Sequence, residues 1–216
     1  MLHLGLEYRF CPTASLNKAG EGTLTILSDQ QYEGATVLHG GVYEFSSLKN
    51  GGVASGLGKS QEFAQNWIMD GGTYRYTGVS TATNRSARLY NDTQIDIQKA
   101  GTVVTMNGSV EGAGNLIVGG DGQVLVNTGD FFKFDGNVVL QGGELKLSKK
   151  EVSDRGIGTA SCLVMQGGKF TTIGKNEATV TYNFPIEVTE GTTSTIDFDL
   201  WNVNKCRVTG KGYFVR

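Results

Sequence analysis

Two aspartates near the end of the 216-residue sequence are the best carboxylate pair for chemistry. Asp197 and Asp199 alternate with Ile196, Phe198 and Leu200, so on a β-strand both carboxylates share the face opposite the apolar side chains. Residues two apart on a strand lie about 6.5–7 Å apart. That separation suits an acid and a base in glycoside hydrolysis. The alternative is a solvated outer face without catalysis, because no histidine lies nearby in the sequence.

Aromatic side chains are the second kind of candidate. If exposed, Trp67, Trp201 and Tyr90 could stack on sugar rings and bind a carbohydrate ligand. For Trp67 a position in the core is the alternative. Alternation with polar neighbours places Phe45 and Tyr74 in the core.

Composition excludes several classes of site. The two histidines, His3 and His39, leave almost no basis for a Ser-His-Asp or Cys-His centre or for a zinc site. The three cysteines, Cys11, Cys162 and Cys206, are far apart and form no C-x-x-C motif. We therefore expect no metal and no cofactor, and a non-catalytic role rather than an enzyme.

Charge and hydropathy exclude two kinds of partner. Lys and Arg total 19 and Asp and Glu total 21, so the formal net charge is −2 and no basic stripe marks a nucleic-acid surface. No apolar run reaches the ~18–20 residues of a membrane-spanning helix. The sequence predicts neither nucleic-acid binding nor a membrane span.

Short alternating segments must position these side chains. Polar and apolar residues alternate with a period of two in at least six segments, which predicts β-strands with one buried face. Examples are Thr23–Ile26, Val42–Phe45, Thr73–Tyr76, Gln94–Ile97, Glu144–Leu147 and Ile196–Leu200. Glycine is abundant, at 32 residues, and Gly-Gly doublets separate the segments as turn signals. The pattern indicates an all-β fold.

Repetition narrows the fold to a solenoid. Gly40–Phe45 (GGVYEF) recurs as Gly142–Leu147 (GGELKL), and similar motifs recur about 90–100 residues apart in the same order. Strand landmarks lie roughly 20–30 residues apart, the length of one β-helix coil. They are Leu24, Tyr43, Tyr74, Ile95 and Leu116. We predict a right-handed parallel β-helix in which these residues stack in one column.

Three motifs carry a family resemblance. Gly20–Ile26 reads GEGTLTI, Tyr32–Thr36 reads YEGAT, and Gly40–Phe45 reads GGVYEF. In this order they resemble the autotransporter-associated β-strand repeat of bacterial surface proteins. Residues 20–78 match this pattern well and residues 112–172 more loosely, since Asn115 stands where the motif has threonine.

The resemblance implies a right-handed β-helical passenger or stalk in a large secreted or surface protein. It brings no catalytic residues. We expect one β-helical domain over 1–216 within a longer chain, with 1–19 as a cap or the end of a preceding repeat. The implied location is extracellular or on the outer-membrane surface.

The resulting hypothesis is a structural segment that displays other domains of the same chain. One alternative is a polysaccharide-binding or polysaccharide-degrading module on the same scaffold. A second is an adhesin that contacts a glycan or host surface through the irregular insertions 46–66 and 148–160, because loops on rigid scaffolds often carry function. Unpaired strand edges at the ends also predict end-to-end self-association.

Overall fold

The computed structural model describes residues 2–4, 13–128, 131–148, 157, 159–173, 184–199, 207–210 and 213–215. In these residues the strands form three parallel sheets that run side by side. Consecutive strands along the chain belong to different sheets, and the chain returns to each sheet one strand further on. This winding is a parallel β-helix, as predicted; its right-handed sense stays a prediction.

The largest sheet has ten strands. They are β1 (Leu2–Leu4), β3 (Thr23–Ile26), β5 (Val42–Phe45), β7 (Thr73–Tyr76), β10 (Thr93–Ile97), β13 (Leu116–Gly120), β16 (Val138–Leu140), β18 (Leu163–Met165), β20 (Pro185–Val188) and β22 (Arg207–Gly210). Within 1–19, the segment expected to be a cap, β1 pairs with β3.

Two smaller sheets complete the coils. The seven-stranded sheet contains β8 (Thr81–Thr83), β11 (Val103–Met106), β14 (Gln123–Val126), β17 (Glu144–Leu147), β19 (Lys169–Ile173), β21 (Thr193–Asp199) and β23 (Tyr213–Val215). The six-stranded sheet contains β2 (Leu16–Lys18), β4 (Thr36–Leu38), β6 (Trp67–Asp70), β9 (Ala87–Asn91), β12 (Val110–Ala113) and β15 (Phe132–Asp135). A short 3₁₀ helix, Ala64–Asn66, precedes β6.

Apolar side chains stack in columns inside the coils. In the ten-stranded sheet Leu24 lies beside Tyr43, and the column continues through Tyr74, Ile95 and Val118. All five side chains are buried. Each coil alone would leave this face in water, so stacking is what removes it from solvent. The predicted column is confirmed over its first four members.

For the fifth member of the column, the prediction of Leu116 was wrong by two residues. Leu116 pairs with Thr93, and Val118 is the residue beside Ile95. Strand β13 spans five residues and directs both Leu116 and Val118 inward. Spacing along the sequence could not distinguish these two buried positions.

The long repeat does not mark equivalent positions in the coil. Tyr43 lies in the ten-stranded sheet, whereas Leu145, its partner in the repeated Gly-Gly motif, lies in the seven-stranded sheet. Both motifs begin at a corner where the second glycine has positive φ, 68° at Gly41 and 60° at Gly143. The motif therefore marks a glycine-containing corner, and it occurs at two different corners of the coil.

Candidate functional site

The residues singled out from the sequence lie in different environments. Trp67 is in the core, 2% exposed, with its ring edge-on to Tyr74 at a centroid distance of 5.6 Å. Asp197 is on the outer face of β21, and Asp199 lies in the same strand in register with Ile173. Trp201 lies outside the described residues. Tyr90 is exposed on β9.

Asp197 is held in an ion pair. Its Oδ2 atom lies 2.7 Å from the Nζ atom of Lys169 on the neighbouring strand. The hydrogen bond to Asp197 raises the pKa of Lys169. In this arrangement the negative charge of the Asp197 carboxylate is paired with the positive charge of the Lys169 ammonium group.

Tyr90 lies on the outer face of β9, as alternation from the buried Leu89 requires. The six-stranded sheet has a bulge at this position. Met69 pairs with Leu89 but Asp70 pairs with Asn91, so Tyr90 has no partner across the strand. The tyrosine has 54% of its surface exposed.

Polar side chains surround this tyrosine. Arg88 hydrogen-bonds to Glu111 on the next strand and to Tyr90, and these bonds raise the pKa of Arg88. Behind the bulge, Asn91 donates to Asp70 over 2.6 Å. We call Asp70, Arg88, Tyr90, Asn91 and Glu111 the Tyr90 face. It combines an aromatic ring with amide, guanidinium and carboxylate groups, the set that binds sugars or polar peptide segments.

A second concave region lies at the corner between the ten-stranded and seven-stranded sheets. Its volume is about 310 Å³. It is lined by Gly101, Val103, Asp121, Gly122, Gln123, Gly143, Glu144 and Lys169, which we call the corner groove.

One outward side chain per coil forms the wall of the corner groove. Val103 pairs with Gln123, Gln123 with Glu144, and Glu144 with Lys169. The row therefore presents an apolar group, an amide, a carboxylate and an ammonium group along the axis of the β-helix. Asp197 is bound to the last of them.

Three of the residues that line the corner groove are glycines. A Cβ atom at Gly143 would meet the carbonyl oxygen of Gly122 in the coil beside it. With φ at 60°, this position also disfavours any residue with a side chain. The groove is therefore bordered by bare backbone. The sequence contains a signal for the groove, since a Gly-Gly or Asp-Gly pair precedes three of the four wall strands. Such pairs by themselves indicate only turns.

The insertion 46–66 is organised by a buried arginine. Arg85 is 2% exposed, and burial lowers its pKa. Its guanidinium donates to the carbonyl oxygens of Lys49 and Gly58 and to Ser60 Oγ, each over 3.0 Å. Further contacts reach Val53 and Asn50. No sequence pattern indicates this role, because arginines are mostly exposed. Most of the other insertion, 148–160, lies outside the described residues.

The part of the chain that the structure describes contains no group of three or more His, Cys, Asp or Glu side chains able to hold a metal ion. Within the same residues, no helix has the length and apolar character to cross a membrane.

The fold and its outer faces define a class: a parallel β-helix of stacked coils with polar lateral surfaces. No family model matches the sequence, and no solved structure matches it. The chain is similar to a protein described as "Adhesin BmaC autotransporter" from Brucella suis biovar 1 (strain 1330), with 40% identity over 116 residues. The match covers 53% of this chain and only 3% of that adhesin. The similarity and the coils together fit an autotransporter passenger-type repeat protein.

Proposed function

We propose that this chain is a non-catalytic segment of a surface-exposed passenger, and that it holds other domains of the same longer chain away from the cell. The observation that carries the proposal is the ten-stranded sheet, in which the apolar side chains of each coil stack on those of the next. Such a stack is stiff and extends by adding coils. The similarity to a large autotransporter adhesin supports the surface location.

Labelling on intact cells tests the location. Val79 is 76% exposed, so a Val79→Cys variant lacking Cys11, Cys162 and Cys206 presents one accessible thiol. A membrane-impermeant maleimide should label it on intact cells that produce the full protein. The matched control is Val126→Cys, because Val126 is fully buried and its thiol should react only after denaturation. Labelling of Val79→Cys only after lysis would contradict a surface location.

A second candidate function is adhesion through the Tyr90 face. The position of Tyr90 favours it, because the bulge leaves this outward tyrosine without a neighbour across the strand, beside groups that can donate and accept hydrogen bonds. The partner would be a glycan or a host surface.

Adhesion at this face is tested with three variants of the purified chain on a glycan array and on host matrix proteins. Tyr90→Ala should abolish binding, Tyr90→Phe should retain most of it because the ring remains, and Leu27→Ala should change nothing. Leu27 is equally exposed, at 58%, and lies in another part of the coil. Equal binding by Tyr90→Ala and the unmodified chain would exclude this role.

End-to-end self-association stays a prediction. Light scattering at increasing protein concentration tests it, since species that grow with concentration are expected and a monomer at every concentration would contradict it.

A further inference from the structure

We propose that the corner groove binds a linear polysaccharide without carboxylates, which runs along the axis of the β-helix with one sugar unit for each coil. This inference goes beyond the display role and does not depend on it. The spacing, the chemistry and the charge of the groove wall support it.

The spacing comes from the backbone. Neighbouring strands in a sheet are about 4.8 Å apart, so the side chains of Val103, Gln123, Glu144 and Lys169 repeat at that distance along the groove. This is close to the length of one hexose in an extended β-linked chain. An extended peptide advances about 3.3 Å per residue, so the spacing of its residues would not match the spacing of the wall side chains beyond one coil.

The chemistry of the wall suits sugar hydroxyls. The Gln123 amide both donates and accepts, the Glu144 carboxylate accepts, and the Lys169 ammonium group donates. Because these three lie on successive coils, each would face a different sugar unit. Gly101, Gly122 and Gly143 line the groove without side chains, so the polymer can approach the backbone closely there.

The charge selects among polysaccharides. Asp121 and Glu144 line the groove, and the ammonium group of Lys169 is already bound to Asp197. Carboxylates therefore outnumber ammonium groups locally, and a polyuronate would meet repulsion. Neutral chains and amino-sugar chains are both compatible with this charge. Their binding should differ in its dependence on salt concentration, because only the cationic chain is attracted to the excess carboxylates.

Titration calorimetry with the purified chain tests the length dependence. The probes are β-linked glucose oligomers, glucosamine oligomers and galacturonate oligomers of increasing length. Affinity for the first or second series should rise with each unit and level off at about four units, because the wall spans four coils. Affinity that does not change with length, or stronger binding of galacturonate, would overturn the proposal, as would no binding of any neutral or amino-sugar oligomer.

Three variants locate the binding. Glu144→Ala and Gln123→Ala should each weaken binding by about tenfold, the value of one good hydrogen bond. The control is Lys146→Ala, which changes the same face of β17 two residues outside the groove and should bind normally. Unfolding curves should show that the variants fold, since these are surface positions. Equal losses in Lys146→Ala and Glu144→Ala would place the binding elsewhere and reject the groove.

Discussion

The first described coils and the middle coils fill the same interior with different side chains. Residues 30–85, the aromatic region, bury Tyr32, Tyr43 and Tyr74 together with other rings. Residues 93–128, the aliphatic region, bury only Val, Leu, Ile and Met as large apolar side chains. The aromatic region also carries the insertion 46–66, whereas the coils of the aliphatic region follow one another without a long interruption.

The hydroxyl groups explain the difference. Tyr43 donates to the carbonyl oxygen of Gly56 over 2.6 Å. Gly56 lies in the insertion, in a segment between strands. A buried carbonyl group needs a donor, and a valine or leucine column supplies none. The comparison teaches that an irregular insertion in a β-helix requires donors within the core beside it.

Loss of the buried guanidinium should break the aromatic region most severely. Arg85→Ala removes the hydrogen bonds of a buried guanidinium to Lys49, Gly58 and Ser60 and leaves a cavity, so we expect a loss of roughly 4 kcal/mol in the free energy of unfolding. Urea unfolding measures it, and limited proteolysis should cut the insertion 46–66 first. Arg88→Ala is the control, because its guanidinium pairs with Glu111 at the surface and its loss should cost much less. Similar losses in both variants would refute a special role for Arg85.

A cavity in the aliphatic region should also be costly but should leave the insertion intact. Leu116 is 1% exposed, so Leu116→Ala should lower the free energy of unfolding by about 3 kcal/mol. Resistance of the insertion 46–66 to protease under native conditions should not change. Faster cleavage of the insertion in Leu116→Ala would contradict the difference between the aromatic region and the aliphatic region.

The buried tyrosines predict a dependence of stability on alkaline pH. Burial raises the pKa of Tyr43 well above its usual value of 10.0. In the unfolded chain the phenol ionises first, so its contribution is complete below about pH 10 and is lost as the pH rises further. Tyr43→Phe should cost about 1 kcal/mol at neutral pH through the lost bond to Gly56, and should reduce the decline above pH 10. Unfolding curves at several alkaline pH values measure both effects, and an unchanged decline would contradict the assignment.

The smallest effect is expected at the surface of the same region. Lys49 forms an exposed ion pair with Asp29, so Lys49→Ala should change the free energy of unfolding by about 0.5 kcal/mol or less. Thermal unfolding at low and high salt measures it. A loss close to that of Arg85→Ala would show that the side chain of Lys49, rather than the buried guanidinium, organises the insertion.

Much of the architecture follows from local pattern. Period-two alternation and glycine corners predicted the strands around Leu24, Tyr43, Tyr74 and Ile95, because each rule concerns only neighbouring residues. The register at Leu116 was missed, since two adjacent inward positions of β13 satisfy the same pattern.

The candidate sites depend on contacts between coils and were harder to predict. Alternation places Tyr90 on the outer face, but it does not encode the bulge that leaves this tyrosine without a neighbour across the strand. The row from Gln123 to Lys169 becomes visible only when the register of three coils is known. Arg85 was missed because its acceptors are backbone groups more than 20 residues away in the sequence.

The direction of the hydrogen bonds between coils has a mechanical consequence. These bonds point along the axis, and Tyr74, Ile95 and Val118 in one column are 21 and 23 residues apart. Tension between the two ends of the stack would therefore separate one coil at a time. In these coils each step would release a similar length of chain while the remaining coils stay folded.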